Sequence, residues 1–242
     1  MLTPKRIYVE ELLDAGAGTD DDVAANLSDI RRINRFLGGR SVVRNALASA
    51  LKESSGETFS LLDVGTGSAD IPEEILDWSE SQGIDPLICG LDLSERNLRV
   101  SRSTLGVRNR ISLVRADAKL LPFGDHSFDF VAASLFLHHF HNEDVVILLT
   151  EFARVARHSI IINDLTRNLV PYYFIKLFGP LFAKNFLTRH DGPISVLRGF
   201  TLAEMNVLGR LAGLERFKVE RVFPYRLLMV ADVSEAKWTI TM

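Results

Sequence analysis

Short apolar runs recur along the chain, each closed by an acidic or glycine-rich turn and followed by residues at helical spacing. The first, Leu61-Leu62-Asp63-Val64, enters Gly65-Thr66-Gly67-Ser68-Ala69-Asp70, and a helix is predicted over 70–82 with Pro72 in its first turn. Pro86 to Leu91 reads as a buried strand ending in Asp92 and Leu93, with Ser94 placed to cap the next helix. A third strand, Ile111 to Ala116, ends in Asp117-Ala118, and a fourth, Ser127 to Ser134, has Leu135 to His139 as its exit loop. Asn142 is placed to cap a helix through Val145, Ile147, Leu148, Phe152 and Val155, and Ser159 to Asp164 makes a fifth strand. Thr201-Leu202-Ala203-Glu204 is a capping box opening a helix that ends near Gly213. Strands at about 215–223 and 225–232 follow, with Pro224 between them.

Ahead of the first strand, residues 1–57 read as a helical cap. A helix starting at Asp20 to Asp22 carries Val23, Leu27, Ile30, Ile33, Asn34 and Leu37 on one side, and Gly38-Gly39 stops it. A second runs through Val42, Val43, Ala46, Leu47 and Leu51 to a polar linker, Lys52 to Thr58. The polar Arg31, Arg32, Asn34 and Arg35 are either a solvated face or part of a cover over the site.

The turn after the first strand carries the chemistry. Two glycines tolerate positive φ and leave no side chain in the way, and the next helix begins with free N–H groups, as a nucleotide-type cofactor requires. A dinucleotide fingerprint has a third glycine where this chain has Asp70, and a carboxylate there, with Asp63 ahead of the turn, repels a pyrophosphate. A cationic ligand without phosphate fits better, and S-adenosylmethionine is one. Asp92, 25 residues beyond Gly67, stands where a doubly wound fold places the acid that accepts from ribose hydroxyls.

On these residues the segment from about 58 to 232 resembles the class I S-adenosylmethionine-dependent methyltransferases, with Asp63-Val64-Gly65-Thr66-Gly67 similar to their first motif. The resemblance implies an α/β, doubly wound Rossmann-like sheet of seven strands in the order 3-2-1-4-5-7-6, strand 7 antiparallel, behind the helical cap. It implies cofactor contacts from Asp63, Gly65, Thr66, Gly67, Asp92, Leu93, Asp117, Ala118 and Ser134, with Asp117 meeting the adenine amino group. The family's Pro-Gly-Gly turn before strand 5 is replaced by Ala156-Arg157-His158, which implies a shorter loop. Leu137-His138-His139 and Leu121-Pro122-Phe123 resemble the branch that methylates quinones, sterols and other small molecules. Asn163-Asp164-Leu165 and Arg189-His190-Asp191-Gly192-Pro193 resemble bacterial enzymes that tailor polyketide-type phenols or quinones. No Asn/Asp-Pro-Pro-Tyr/Phe signature of amino-directed nucleic-acid methyltransferases follows strand 4.

Composition narrows the partners. With 242 residues, 47% hydrophobic and 24% charged, the chain suits one cofactor domain, 58–242, plus the cap. A net charge of −3 gives no general attraction to nucleic acid, and the expected partner is a small molecule. One cysteine, Cys89, allows no internal disulfide and no cysteine-based metal site, and no metal is expected, Asp164 being the only well-placed oxygen ligand. The start of the chain has no apolar signal region, so the expected location is cytoplasmic, as a monomer or homodimer.

Residues from about 165 to 200 read as a lid insertion. Its apolar, aromatic stretch Leu169 to Ala183 is shorter than a bilayer span. It is a buried helix, a wall for an apolar substrate that uses Tyr172 and Tyr173, or a contact with a membrane surface or a second subunit. Because a sulfonium is already a strong electrophile, alignment supplies much of the catalysis and a base is needed only for a protonated acceptor. Of His138, His139, His141 and His190, His138 and His190 are the favoured candidate bases, and Asp164 and Arg167 either orient substrate or pair with each other. The expected reaction is methyl transfer to a small apolar aromatic, on oxygen or carbon. The competing readings are a non-catalytic S-adenosylmethionine-binding partner or sensor, and a nicotinamide-dependent oxidoreductase.

Overall fold

Strands that are apolar on both faces must be covered on both, and the chain does this with helices above and below one sheet. The computed structural model describes residues 3–54, 58–106 and 110–234. The strands are β1 (Thr58–Val64), β2 (Asp85–Asp92), β3 (Ile111–Arg115), β4 (Phe128–Ser134), β5 (Ala156–Leu165), β6 (Arg216–Val222) and β7 (Arg226–Asp232). Their order is β3-β2-β1-β4-β5-β7-β6, with only the pairings of β7 antiparallel, as the resemblance implies. The helices are α1 (Asp20–Phe36), α2 (Gly39–Ser54), α3 (Asp70–Ser81), α4 (Glu95–Leu105), α5 (Asn142–Val155), α6 (Leu169–Phe182), α7 (Phe186–Arg198) and α8 (Leu202–Leu211).

Alternation along the strands splits the core into two layers. Leu61, Ile88, Phe130, Ala132 and Ile161 face α2 and α3, meeting Val43, Leu47, Ile71, Ile75 and Leu76. Their neighbours Leu62, Cys89, Val131, Ala133, Ile160 and Ile162 face α5 and α8, meeting Leu148, Phe152, Met205 and Leu208. Cys89 is a packing residue whose thiol burial pushes up to about 11.

Local details depart from the sequence expectations in instructive ways. His141, not Asn142, is the N-cap of α5, and its side chain makes no cap hydrogen bond. Ala156-Arg157-His158 is no loop at all: α5 passes directly into β5, and Arg157 pairs with Asp129 of β4. Ser94 and Thr201 cap α4 and α8 as expected, the latter in a complete capping box. The expected linker partly vanishes, because α2 runs to Ser54; residues 55–57 lie outside the described residues.

The face of α1 that docks is more polar than its spacing suggests. Asn26, Asp29 and Asn34 are buried beside Val23 and Leu27, whereas Leu37 is exposed. Its arginine side is only partly solvated: Arg31 pairs with Glu73 of α3 and Arg32 donates to the Phe182 carbonyl at 2.7 Å, while Arg35 is exposed. Asn34 donates to Asp70 at 3.2 Å and accepts from Arg226 of β7 at 2.9 Å. Gly39 lets that network close, since a Cβ there would sit 2.6 Å from Asn34 Oδ1 and 2.7 Å from the Arg226 guanidinium. Burial pushes the Arg226 pKa down to about 10, against the opposing charges of Asp164 and Asp70. Removing one member of a buried charged network costs about 3–5 kcal/mol, so Arg226→Ala is expected to lower unfolding stability by that order in a denaturant titration.

Candidate active site at the carboxyl edge of the sheet

All the conspicuous carboxylates leave the sheet at one edge, because parallel strands end together there. Gly65 and Thr66 donate from their backbone to the Leu91 carbonyl at 2.8 and 2.9 Å, pinning the turn after β1 against β2. Gly65 and Gly67 have φ of +72° and +53°. A Cβ on Gly65 would run into the Phe136 ring, and one on Gly67 would meet, outside the turn, only Leu27 of α1. Ala69 caps α3 with φ of +56° and no side-chain hydrogen bond, leaving the first turn of that helix without a side-chain cap.

Asp92 closes this half. Its Oδ2 accepts from the Gly67 amide at 3.0 Å and its Oδ1 from the Ser94 amide at 2.9 Å and Asn97 Nδ2 at 3.2 Å. Burial raises its pKa, and these donors counter the rise. Asp63 has no such set: burial, with the charges of Asp70 and Asp92 added, pushes it up to about 8 despite Thr66, so it holds its proton at neutral pH. Asp70 is not turned to a ligand; it is buried on Asn34 and Arg40, the latter at 3.3 Å. Burial raises its pKa, with Arg40 and Asn34 offsetting this only in part, so its hydrogen bonds are spent within the protein rather than on a ligand.

The remaining predicted positions sit around this turn. Asp117 accepts from the Lys119 amide at 2.9 Å, Ala118 is buried, and the Leu93 side chain is exposed. Ser134 Oγ accepts from Asn163 Nδ2 at 2.8 Å.

The second half forms where β4 leaves the sheet. Leu135 takes φ of +53° while its amide bonds the Asn163 carbonyl at 2.8 Å, and this sharp exit leads into one tight turn, Leu137–His139. His138 is held at both ends, its amide on Asp164 Oδ2 at 3.1 Å and its Nδ1 on Asp164 Oδ1 at 2.7 Å. Burial pushes the Asp164 pKa upward, but the charge and hydrogen bond of His138 and the Leu165 amide hold it below the ordinary range. Nδ1 is thus committed to Asp164, and Nε2 lies 3.8 Å from Glu11 Oε1.

Glu11 belongs to a segment, residues 3–18, that straps this edge. Arg6 donates to the Arg198 and Phe140 carbonyls at 2.6 and 2.9 Å, and Arg198 to the His138 and Val9 carbonyls at 3.0 and 2.8 Å. Asp191 accepts from the Leu12 and Leu13 amides at 2.9 and 3.1 Å, and His139 Nδ1 meets Asp14 at 2.7 Å. Sequence reasoning missed Arg6, Glu11, Asp14, Asp191 and Arg198 as site residues, because an irregular strap has no period to place its side chains. The Glu10-Glu11 and Asp14 acids were the only available signal.

Other candidates lie elsewhere. His190 bonds Asp191 at 2.8 Å on the half-exposed side of α7, and Tyr172 and Tyr173 stack edge to face on α6. Arg167 pairs with Glu204 at 2.5 Å, not with Asp164. None of these four makes a hydrogen bond, ion pair or ring contact with His138 or Asp164. Glu11, His138 and His139 bring one ligand atom each within 4.8 Å, a donor set that suits a divalent transition metal and that the sequence did not suggest. Both Nδ1 atoms are already engaged, by Asp164 and Asp14.

A cradle at Gly67, a buried acid at the end of β2 and an uncharged carboxyl awaiting a cation fit S-adenosylmethionine. Comparison with known proteins decides the matter. Residues 62–161 match the family model of a methyltransferase domain. A demethylmenaquinone methyltransferase from Shouchella clausii is 30% identical over 179 residues, covering 66% of this chain and 75% of that protein. This chain belongs to the class I S-adenosylmethionine-dependent methyltransferases. A demethylmenaquinone methyltransferase from Staphylococcus haemolyticus is 32% identical over 138 residues, 50% of this chain and 57% of its own length. The chain thus spans little more than half of that second relative. Human N-acetylserotonin methyltransferase, solved in complex with S-adenosylmethionine, shares the fold with a TM-score of 0.63 at 13% identity, over 94% of this chain and 62% of its own. Membership of the methyltransferase family sets aside the hydride-transfer alternative, and S-adenosylmethionine is the cofactor.

Two outcomes follow. A cation bound beside Asp63 lowers its pKa and expels its proton, so the affinity of this methyltransferase for S-adenosylmethionine is expected to rise with pH up to about 8. Calorimetry in buffers of different ionisation enthalpy reads the released proton, and Asp63→Asn removes it. The second concerns the strap. Burial lowers the His139 pKa, but Asp14 and Glu11 outweigh it and the net shift is upward. Its pairing therefore stabilises fully below the ordinary histidine range and is lost as pH rises past the raised value. Asp14, pushed up by burial but held low overall by His139 and Arg198, adds stability above the ordinary carboxylate range and loses it in acid. Hydrogen exchange at Leu12 and Leu13, corrected for intrinsic rate, is expected to speed up on alkalinisation, and Asp14→Asn to remove that dependence.

Proposed function

We propose that this methyltransferase acts on a small, apolar, hydroxylated aromatic, a phenol or a reduced quinone, with His138 as the base and Asp164 as its positioning partner. The observation that carries the reading is the His138–Asp164 pair, buried at the exit of β4 with Nδ1 held 2.7 Å from Asp164 Oδ1. The cofactor supplies an activated methyl group; the chain has to bind the acceptor, exclude water and take a proton. His138 Nε2 removes the hydroxyl proton, and the resulting charge spreads over oxygen and the adjacent ring carbons. One base therefore serves either O- or C-methylation. Two relatives named for demethylmenaquinone support a quinone-like ring as the acceptor. Burial of the pair under Glu11 and the strap supports a water-poor site, where a phenolate is more reactive than in water.

General-base catalysis contributes about 10²–10⁴-fold, so His138→Gln is expected to lower kcat by that order while calorimetric binding of S-adenosylhomocysteine stays unchanged. Asp164→Asn favours the wrong tautomer and is expected to fall comparably, again with cofactor binding retained. The assay is transfer of labelled methyl from S-adenosylmethionine to a panel of hydroquinones and phenols. Full activity in His138→Gln overturns the assignment of the base. Binding of S-adenosylhomocysteine with no transfer to any member of the panel overturns the acceptor class and returns the chain to the role of a non-catalytic binder.

A further inference from the structure

The sequence left three readings for the stretch Leu169 to Ala183, and the fold removes the first: of the α6 residues only Pro171 is buried. Val170, Tyr173, Phe174, Leu177, Phe178, Leu181 and Phe182 are all exposed, Leu177 to 66% and Leu181 to 77%. At steps of three and four residues they form one continuous stripe along the helix. The stripe continues on the neighbouring segments. Phe186 at the start of α7 is 49% exposed, and Phe36 at the end of α1 is 76% exposed, one turn beyond the Arg32 that donates to the Phe182 carbonyl. A soluble monomer seldom shows an apolar patch of this extent without a partner for it.

Charge selects the partner. From Leu165 to His190 the chain has no aspartate or glutamate, although its net charge is −3. Lys176, Lys184 and Arg189 are exposed in this stretch, and Arg35 adds another cation next to Phe36. A second copy docking by the same patch would bring cations against cations. An anionic lipid surface satisfies both the stripe and its rim. No helix among the described residues is long and apolar enough to cross a membrane, so the fitting geometry is a helix lying in the plane of the headgroups.

We propose that α6, with Phe36 and Phe186 at its borders, is a membrane-surface anchor that seats this enzyme on anionic phospholipid. The position matters for the active site. α6 packs on α7, and α7 carries Asp191, Ser195 and Arg198, which hold the strap over His138. The anchor therefore adjoins the helix that holds the strap. The proposal concerns where the enzyme works and stands independently of the base assigned to His138.

Co-sedimentation of the full chain with phosphatidylcholine vesicles, with and without phosphatidylglycerol, tests it. The expected result is pelleting with the phosphatidylglycerol vesicles, weakened by salt, and weakened about fivefold by each of Lys176→Gln and Lys184→Gln. Leu177→Glu combined with Leu181→Glu is expected to abolish pelleting. Both leucines are exposed, and unchanged S-adenosylhomocysteine binding by the double variant shows that it has folded. Absence of pelleting by the parent protein, or equal pelleting by the double variant, overturns the proposal. So does a dimer seen by light scattering that the double variant dissolves, which would assign the patch to a second copy. Methyl transfer to a water-soluble hydroquinone without vesicles reads the acceptor proposal separately, so neither result can be mistaken for the other.

Discussion

Four carboxylates buried along one edge of a sheet set the problem that the rest of this structure solves. Asp63, Asp70, Asp92 and Asp164 are each under 9% exposed, and an ion removed from water costs several kcal/mol unless something compensates it. The compensation differs at each. Asp164 has His138 and the Leu165 amide, Asp70 has Arg40 and Asn34, and Asp92 has amide donors from Gly67, Ser94 and Asn97. Asp63 has too little and keeps its proton instead. Burial also leaves Asp70 and Asp92 above the ordinary carboxylate range, so their partners offset it only in part. The cofactor half and the acceptor half are thus two answers to one electrostatic constraint.

The constraint also explains the N-terminal third. An edge crowded with acids needs cations and amides from outside the sheet, and the helices and strap provide them. Arg31 and Arg40 reach the start of α3, while Arg6 and Arg198 tie the strap to the carbonyls after β4. Asn34 joins Asp70 to Arg226, so α1, α3 and β7 share one polar junction under Gly39. The helices before β1 are part of the site's electrostatics as well as its cover.

What the sequence revealed depended on whether the signal was local. The positive-φ turn at Gly65-Thr66-Gly67 and the Ser94 and Thr201 caps rest on residues close in sequence, and the fold has them as read, whereas the strand order followed from the family resemblance. The partners of Asp70 and Arg167 were misjudged because each is met across a long separation, by Arg40 and Glu204 respectively. His138, just after β4, and His190, beside Asp191, were both read as candidate bases. Only the fold shows that one is buried on Asp164 and the other lies on the half-exposed side of α7. The strap was invisible for a different reason: residues 3–18 form neither helix nor strand, and their order comes from hydrogen bonds to distant carbonyls and to Asp191.

α7 connects these features mechanically. Asp191, Ser195 and Arg198 recur at steps of four and three, so they share one face, and that face grips the strap through Leu12, Glu11 and Val9. From α6, the Ile175 side chain lies within 3.1 Å of the place a Cβ on Gly192 would occupy, which puts the glycine at the close approach of the two helices. α6 and α7 are thus a closely packed pair, and α7 in turn holds the segment over His138. The helix that grips the strap on one face meets the apolar-striped α6 on another, which places the proposed base and the proposed surface anchor on two sides of one helix.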